Sequence, residues 1–451
     1  MEGFRDGSGL FGIAGHASAG LLTGQGLRAL QHRGTMGVAV AVCDGHQVRA
    51  VRARGRVGVL DSEQLSSFVG TMALGQVFGG LGSLDVAGLP LDGGDRMVVG
   101  HLSSGPMAVA LAGRLTNGSR LRRELKDKGA LFQSDSDAEV LLHLIAQSPQ
   151  RTPVNRIVDA LWKVEGAFSG LLLGPNLMVA VRDPRGFRPL VVGSLDGALV
   201  IATEDTAIRD AGGEVQRAVR PGEMVVVDRG DVQSVRPFPP QPSNRCAQEL
   251  IALARHDATV FDRAPYEVRE DLGRSLGCEA PCPDAEVVVA LPEDEPYGIG
   301  FARATGLPYE RGLLPGYGAP DDETRWMTVP AVVRGRRVVL VARSLLTGRV
   351  LKRAIAALRA ASAVDVHLRV ATPPIQRACI YGVPSPTTDE LAWVHHSDLD
   401  DLALWLDALT VGFSSQGGTK AVLGREGWCT ACITGELPVT PEEPDDQLPL
   451  F

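Results

Sequence analysis

From residue 10 to about residue 228 the chain alternates short apolar runs with polar turns, the period expected of half-buried strands. Helical spacing of apolar residues occurs in only three stretches of this half, 24–32, 138–147 and 154–164. Few helices among many strands predict α+β layers. Residues 236–243, RPFPPQPS, then break all regular patterning, because each proline fixes its own backbone and removes a hydrogen-bond donor. A linker is predicted there. Beyond it, strand patterns at 286–291, 337–342 and 364–371 alternate with helical patterns at 297–305 and 349–361. That alternation predicts a parallel sheet. The acidic, proline-rich stretch from 438 onward reads as a loosely held tail.

Length and composition bound the function classes. A chain of 451 residues with 44% hydrophobic and 22% charged residues has room for two or three ordinary globular domains. The net charge of −8 is spread along the chain with no basic block, so neither nucleic acid nor an anionic membrane is an expected partner. No run approaches the ~20 apolar residues of a membrane span, and MEGFRDGSGL lacks the order of a secretory signal. A cytoplasmic location is expected.

Seven cysteines, an odd number with a single CxxC, suit metal ligation in a reducing compartment better than a disulfide framework. Cys43 lies in an apolar run and reads as a small buried residue. Cys278 and Cys282, with no histidine nearby, do not complete a tetrahedral set.

Motifs in a fixed order carry the chemical reading: LFGIAGH, GLRALQHRG, FQSDSDAEVLLHLIAQS, VEGAFSG, RDPRGFRPL, RPGEMVVVD, VVLV, HLRVATPPI, ACIYGV and CTACITGELP. Together they resemble the glutamine amidophosphoribosyltransferase family, in its iron-sulfur subclass, over nearly the whole chain. The resemblance implies an N-terminal nucleophile glutaminase domain, a four-layer αββα sandwich of α+β class. An α/β type I phosphoribosyltransferase domain with a parallel sheet follows it. The implied bounds are 8–235 for the first, 236–245 for the linker, 246–437 for the second with its C-terminal cysteine segment, and 438–451 for the tail. The family makes phosphoribosylamine from glutamine and phosphoribosyl pyrophosphate.

Several expected reactive positions are altered. Ser8 stands at the place of the family's nucleophilic cysteine, whose free α-amino group serves as base once a short propeptide is removed. The family's carboxylate-binding arginine is replaced in Gln76-Val77-Phe78-Gly79-Gly80-Leu81, where Phe78 cannot bind a carboxylate. Losing one charge-assisted hydrogen bond forfeits about 1.5–3 kcal/mol of binding. The oxyanion asparagine aligns with Ala112, a change costing about 2.7–4 kcal/mol of transition-state stabilisation. Gly113 retains a backbone donor, and Asp137 matches the residue that holds the substrate ammonium. Arg33 matches too, as substrate group or as fold support, while His32, Arg182 and Asp183 read as structural.

In the second half Ala342-Arg343 replaces the two acidic residues that take the ribose hydroxyls, and a guanidinium has no acceptor. Pro292-Glu293-Asp294-Glu295 clusters three carboxylates that would repel pyrophosphate unless a metal intervened. Ser344, Thr347, Gly348 and Arg349 are remnants of the phosphate loop, or an ordinary strand-to-helix turn. The closing loop shrinks to 315–322 and turns acidic. Cys246, Cys379, Cys429 and Cys432 match the subclass ligands one by one, implying a [4Fe-4S] cluster, with zinc as the alternative and unligated thiols as the plain one.

The expected function is therefore a catalytically degenerate member acting as a binding or regulatory scaffold. It would be a homo-oligomer, with an active paralogue as a further candidate partner. The alternatives are an active enzyme with unusual sites, needing Mg2+ only if its phosphoribosyl pyrophosphate site works, or a serine amidohydrolase using Ser8.

Overall fold

The computed structural model describes residues 7–60, 62–79, 97–316, 326–424 and 426–441. Positions 80 and 81, most of the shortened loop at 315–322, and the tail beyond 441 lie outside them.

The first half is four layers. One seven-stranded sheet has the order Glu214–Ala218, Val191–Leu195, Ala198–Ala202, Ser8–Ala14, Met72–Phe78, Gly37–Cys43 and Val48–Arg54. A six-stranded sheet runs Asp231–Val235, Met224–Asp228, Leu177–Arg182, Gly166–Gly174, Gly105–Leu115 and Val98–Leu102. Alternation along Ser8–Ala14 shows how the layers separate. Leu10 and Ala14 enter the core between the sheets with Leu74, Ala110, Leu171 and Met178. Phe11 and Ile13 point the other way, against the helix Ala19–Ala29. On the far side the helices Asp137–Gln147 and Pro153–Leu161 bury Val140, Ile145 and Ile157 on the second sheet.

The predicted helices are observed within a few residues, and their starts are legible. Ser136 accepts from Ala138 N, and Thr152 accepts from Asn155 N ahead of Pro153, two side-chain caps that fix where each helix begins. Sequence periodicity missed Gly118–Asp127, whose apolar contribution is only Leu121 and Leu125. It also missed the six-residue helices Ser62–Ser67 and Asp205–Asp210, too short for a period to show.

Residues 236–244 form neither helix nor strand. The second half is built on Val287–Ala290, Arg337–Ala342, Asp365–Val370 and Val411–Phe413, paired parallel in that order. Glu295–Thr305 ends at Gly306 in the left-handed conformation, φ 75°. The helix Pro265–Glu279 and the last strand were not anticipated from the sequence; the strand has only three residues. Val439, at the head of the predicted tail, is docked: its backbone accepts from and donates to the Tyr381 hydroxyl at 2.6 and 3.0 Å. Among the described residues no helix is long and apolar enough to cross a membrane.

Candidate functional site

Ser8 opens the central strand of the first sheet, opposite Phe78, and is wholly buried. Its hydroxyl donates to Leu111 O at 3.3 Å and accepts from Gln76 Nε2 at 2.7 Å, and the same amide donates to Leu111 O at 2.8 Å. Gly7 is part of the ladder, its carbonyl accepting from Gly79 N at 2.9 Å. The Ser8 nitrogen is thus an amide within a paired strand. Phe78 lays its ring on Gly37, where any Cβ would stand 2.4 Å from it.

Leu111 lies on the strand that also carries Ala112, Gly113 and Leu115. Ala112 is buried between the sheets, and Gly113 has φ 122° with Ala167 O only 2.0 Å from where a Cβ would be. Asp137 opens its helix and accepts from Leu115 N at 2.8 Å. Burial raises its pKa, against the Leu115 N–H and the charges of Arg114 and Arg122. Ser8, Gly113 and Asp137 thus adjoin one strand, Gly105–Leu115, Ser8 through Leu111 and Asp137 through Leu115.

Arg33 belongs to a different set. Fully buried, it meets Glu204 Oε2 at 2.7 Å and, across to the second half, Glu249 Oε2 at 3.0 Å. His32 Nε2 reaches Glu204 at 3.1 Å, and Arg188 reaches Glu249 Oε1 at 3.2 Å. Burial alone would raise the pKa of Glu204, but Arg33 and His32 reverse it and hold the carboxyl well below its usual range. Arg182 braces the neighbouring turn through Arg188 O, Val219 O and Gly186 O, while Asp183 accepts from Arg185 N and Phe187 N.

At the C-terminal ends of the parallel strands, Arg343 turns back into the domain. Its Nε stands 2.5 Å from Asp294 Oδ1, its backbone N–H donates to Asp294 Oδ2 at 2.9 Å, and a further nitrogen lies 3.3 Å from Glu293. Asp294 is 1% exposed. Burial opposes the charge on Arg343, and the two carboxylates outweigh it, keeping the guanidinium above its ordinary range. Of the three carboxylates expected to repel a pyrophosphate, Asp294 and Glu293 meet Arg343, and Glu295 has Arg311 at 3.4 Å. Gly348 caps the next helix with φ 77°, Trp405 resting against its Cα, while Arg349 is exposed and Thr347 Oγ1 is buried without a hydrogen bond. Ser344 is half-buried just upstream.

The four cysteines converge. Arg245–Cys246 pairs parallel with Trp428–Cys429, setting Cys246 opposite Cys429. Cys379 and Cys432 line the same pocket as these two, with Phe187, Arg188, Ile380 and Tyr381. None of the four is in a disulfide. Burial pushes the Cys432 thiol up to about 12 and Cys429 higher still. Among the described residues no three His, Cys, Asp or Glu side chains are placed to hold a single metal ion. Cys43 and Cys282 are buried and Cys278 is exposed.

A model of the glutamine amidotransferase domain matches residues 92–210. The amidophosphoribosyltransferase of Bacillus subtilis is 32% identical over 97% of this chain and 95% of its own. This chain belongs to the amidophosphoribosyltransferase family. The Rhizobium etli member is 33% identical over 93% of this chain and 87% of its own. Two solved members superpose over nearly the whole chain. The B. subtilis glutamine phosphoribosylpyrophosphate amidotransferase, complexed with ADP and GMP, has TM-score 0.87 at 32% identity, covering 95% of this chain and 97% of that one. A structure described as the allosteric regulatory enzyme of purine biosynthesis has TM-score 0.89 at 31% identity, covering 96% and 98%.

Set in the amidophosphoribosyltransferase fold, the residues that sequence reading missed are Glu204, Glu249 and Gln248, together with the role of Arg188 within the RDPRGFRPL stretch, all partners rather than reagents. No local pattern marks the first three. Glu204 follows an apolar strand as any turn residue would, and Gln248 and Glu249 sit unremarked two and three places after Cys246.

Proposed function

We propose that this chain is a catalytically degenerate amidophosphoribosyltransferase homologue, serving purine nucleotide synthesis as a binding or regulatory scaffold. The observation that carries the reading is the buried pair of Arg343 and Asp294. It puts a cation, already satisfied from within, where the family's ribose-binding acids stand, and positions 342 and 343 offer no acceptor for ribose hydroxyls. Ser8, engaged by Gln76 and Leu111, and Phe78, seated on Gly37, support the same conclusion for the amide-cleaving half.

Domain bounds of 8–235, 236–245, 246–437 and 438–451 fit this reading, with Cys246, Cys379, Cys429 and Cys432 holding a [4Fe-4S] cluster that ties the linker exit to the C-terminal segment. The donor set fits. Four soft ligands face one apolar pocket, and buried thiols become thiolates only beside strong positive charge. Zinc in the same four-cysteine cage is the alternative occupant. When bound, the cluster supplies a covalent cross-link between distant segments. Ser344, Thr347, Gly348 and Arg349 are the residues to which an anionic ligand would come, and Arg33 supports the fold. Assembly as a homo-oligomer, or with an active paralogue, belongs to the same reading.

An assay of the cluster-loaded protein for glutamine- or ammonia-dependent consumption of phosphoribosyl pyrophosphate tests it; steady turnover overturns it. Purine nucleotides are the first ligands to titrate, because the B. subtilis structure is of a complex with ADP and GMP. A second reading, an amidohydrolase using Ser8, is favoured by the retained placement of Gly113 and Asp137. It requires a free Ser8 amine, so mass spectrometry finding residues 1–7 intact in the purified protein removes it.

A further inference from the structure

Two polar side chains at the cysteine pocket, Gln248 and Arg188, were given no role by the sequence reading. Gln248 is 2% exposed and directs Nε2 at Cys432 Sγ, 3.5 Å away. The other end of the same amide, Oε1, is buried with no hydrogen-bond partner. An orphaned buried carbonyl costs about 1–3 kcal/mol. The opposite orientation would bring the amide oxygen to the sulfur, which suits a thiol that can donate S–H and not a sulfur that only accepts. The amide as placed donates to Cys432 Sγ, a bond that a metal-bound thiolate, having no proton of its own to give, accepts.

Arg188 is the second. Among the described residues lining the pocket it carries the one formal charge, and its side chain is 2% exposed. It is held by Glu249 at 3.2 Å, and Glu249 is held in turn by Arg33. The guanidinium is thereby anchored from the first half of the chain beside thiols contributed by the second.

We infer that Gln248 and Arg188 set the electron affinity of the cluster, Gln248 by an N–H···S bond to Cys432 and Arg188 by its fixed positive charge. This rests on the reading of the four cysteines as cluster ligands. Both groups favour the more negative, reduced state: one electron enters the cluster, no bond breaks and no proton moves, and the amide and guanidinium stabilise the added charge. They act as positioning residues, with no contact to any substrate implied.

The test uses the full chain, reconstituted anaerobically with ferrous iron and sulfide, then titrated with a europium(II) chelate while reduction is followed by electron paramagnetic resonance. Gln248→Leu is expected to lower the reduction equilibrium constant about tenfold, which is about 59 mV for one electron. Arg188→Met moves it the same way. An unshifted midpoint in folded, cluster-loaded Gln248→Leu overturns the inference while leaving the cluster reading intact; a wild-type chain that takes up no cluster overturns both. Should Gln248→Leu fail to fold, the isosteric Gln248→Glu, which puts a carboxylate oxygen in place of the N–H donor, is expected to lower the midpoint as well, and an unshifted midpoint there overturns the role of Gln248.

Discussion

Arg343 and Asp294 are tied twice, side chain to side chain at 2.5 Å and backbone to side chain at 2.9 Å, at the mouth of the parallel sheet. The two residues come from loops after neighbouring strands, so the pair fastens those strand ends together. Arg343→Ala leaves Asp294 buried and alone, and is expected to cost about 3–5 kcal/mol in denaturant unfolding. Arg343→Met combined with Asp294→Leu is expected to recover most of that loss, because no uncompensated charge remains. If the single and double variants unfold at the same denaturant concentration, the pair has no such coupling.

Acid should loosen the junction around Arg33. The carboxyl of Glu204 is depressed in the folded protein, so its contribution is fully present above its unfolded pKa of about 4.5 and is lost as pH falls below that value. Glu204→Gln is expected to be less stable than wild type by about 1.5–3 kcal/mol at pH 7, since Arg33 loses one of its two carboxylate partners and keeps Glu249. The gap should narrow as both are measured at progressively lower pH. A gap that stays constant from neutral pH to well below 4.5 contradicts the ion-pair account.

Gly382 tests how closely the cysteine segment is pressed on the glutaminase-like half. It has φ 85°, and a Cβ there would lie 2.5 Å from the backbone of Gly113. Gly382→Ala is expected to destabilise by about 1–3 kcal/mol from strain and displacement. Limited proteolysis should then cut first near residues 378–383. Protection equal to wild type would mean that the contact is absent in solution.

Ser8→Ala offers a contrast between a structural hydroxyl and a nucleophile. Leu111 O keeps its bond from Gln76, so the change is expected to cost only about 1 kcal/mol of stability. Any glutamine-hydrolysing activity should be the same before and after the substitution. Activity that is present in wild type and abolished in Ser8→Ala assigns Ser8 a chemical role.

The layers and the parallel sheet were legible because short apolar runs bounded by polar turns mark buried strands, as Ser8–Ala14 does, apolar on both faces. Short elements were not, for a three-residue strand such as Val411–Phe413 has no period to read. In the candidate sites, the altered positions were visible as substitutions, since Phe78, Ala112 and Arg343 each put the wrong functional group at a matched place. Their accommodation was invisible. That Arg343 answers Asp294, 49 residues earlier, and that Arg33 answers Glu249, 216 residues later, depends on chain crossings that no local pattern encodes.

The two-residue ladder joining Arg245–Cys246 to Trp428–Cys429 sets the order in which the molecule can be finished. Gln248 and Cys432, brought together by it, are 184 positions apart, so a chain emerging from the ribosome must wait for residues 428–432 before this seam can close. A nascent chain cut short before residue 428 keeps its early thiols without their late companions, exposed to the cell's triage of unfinished products.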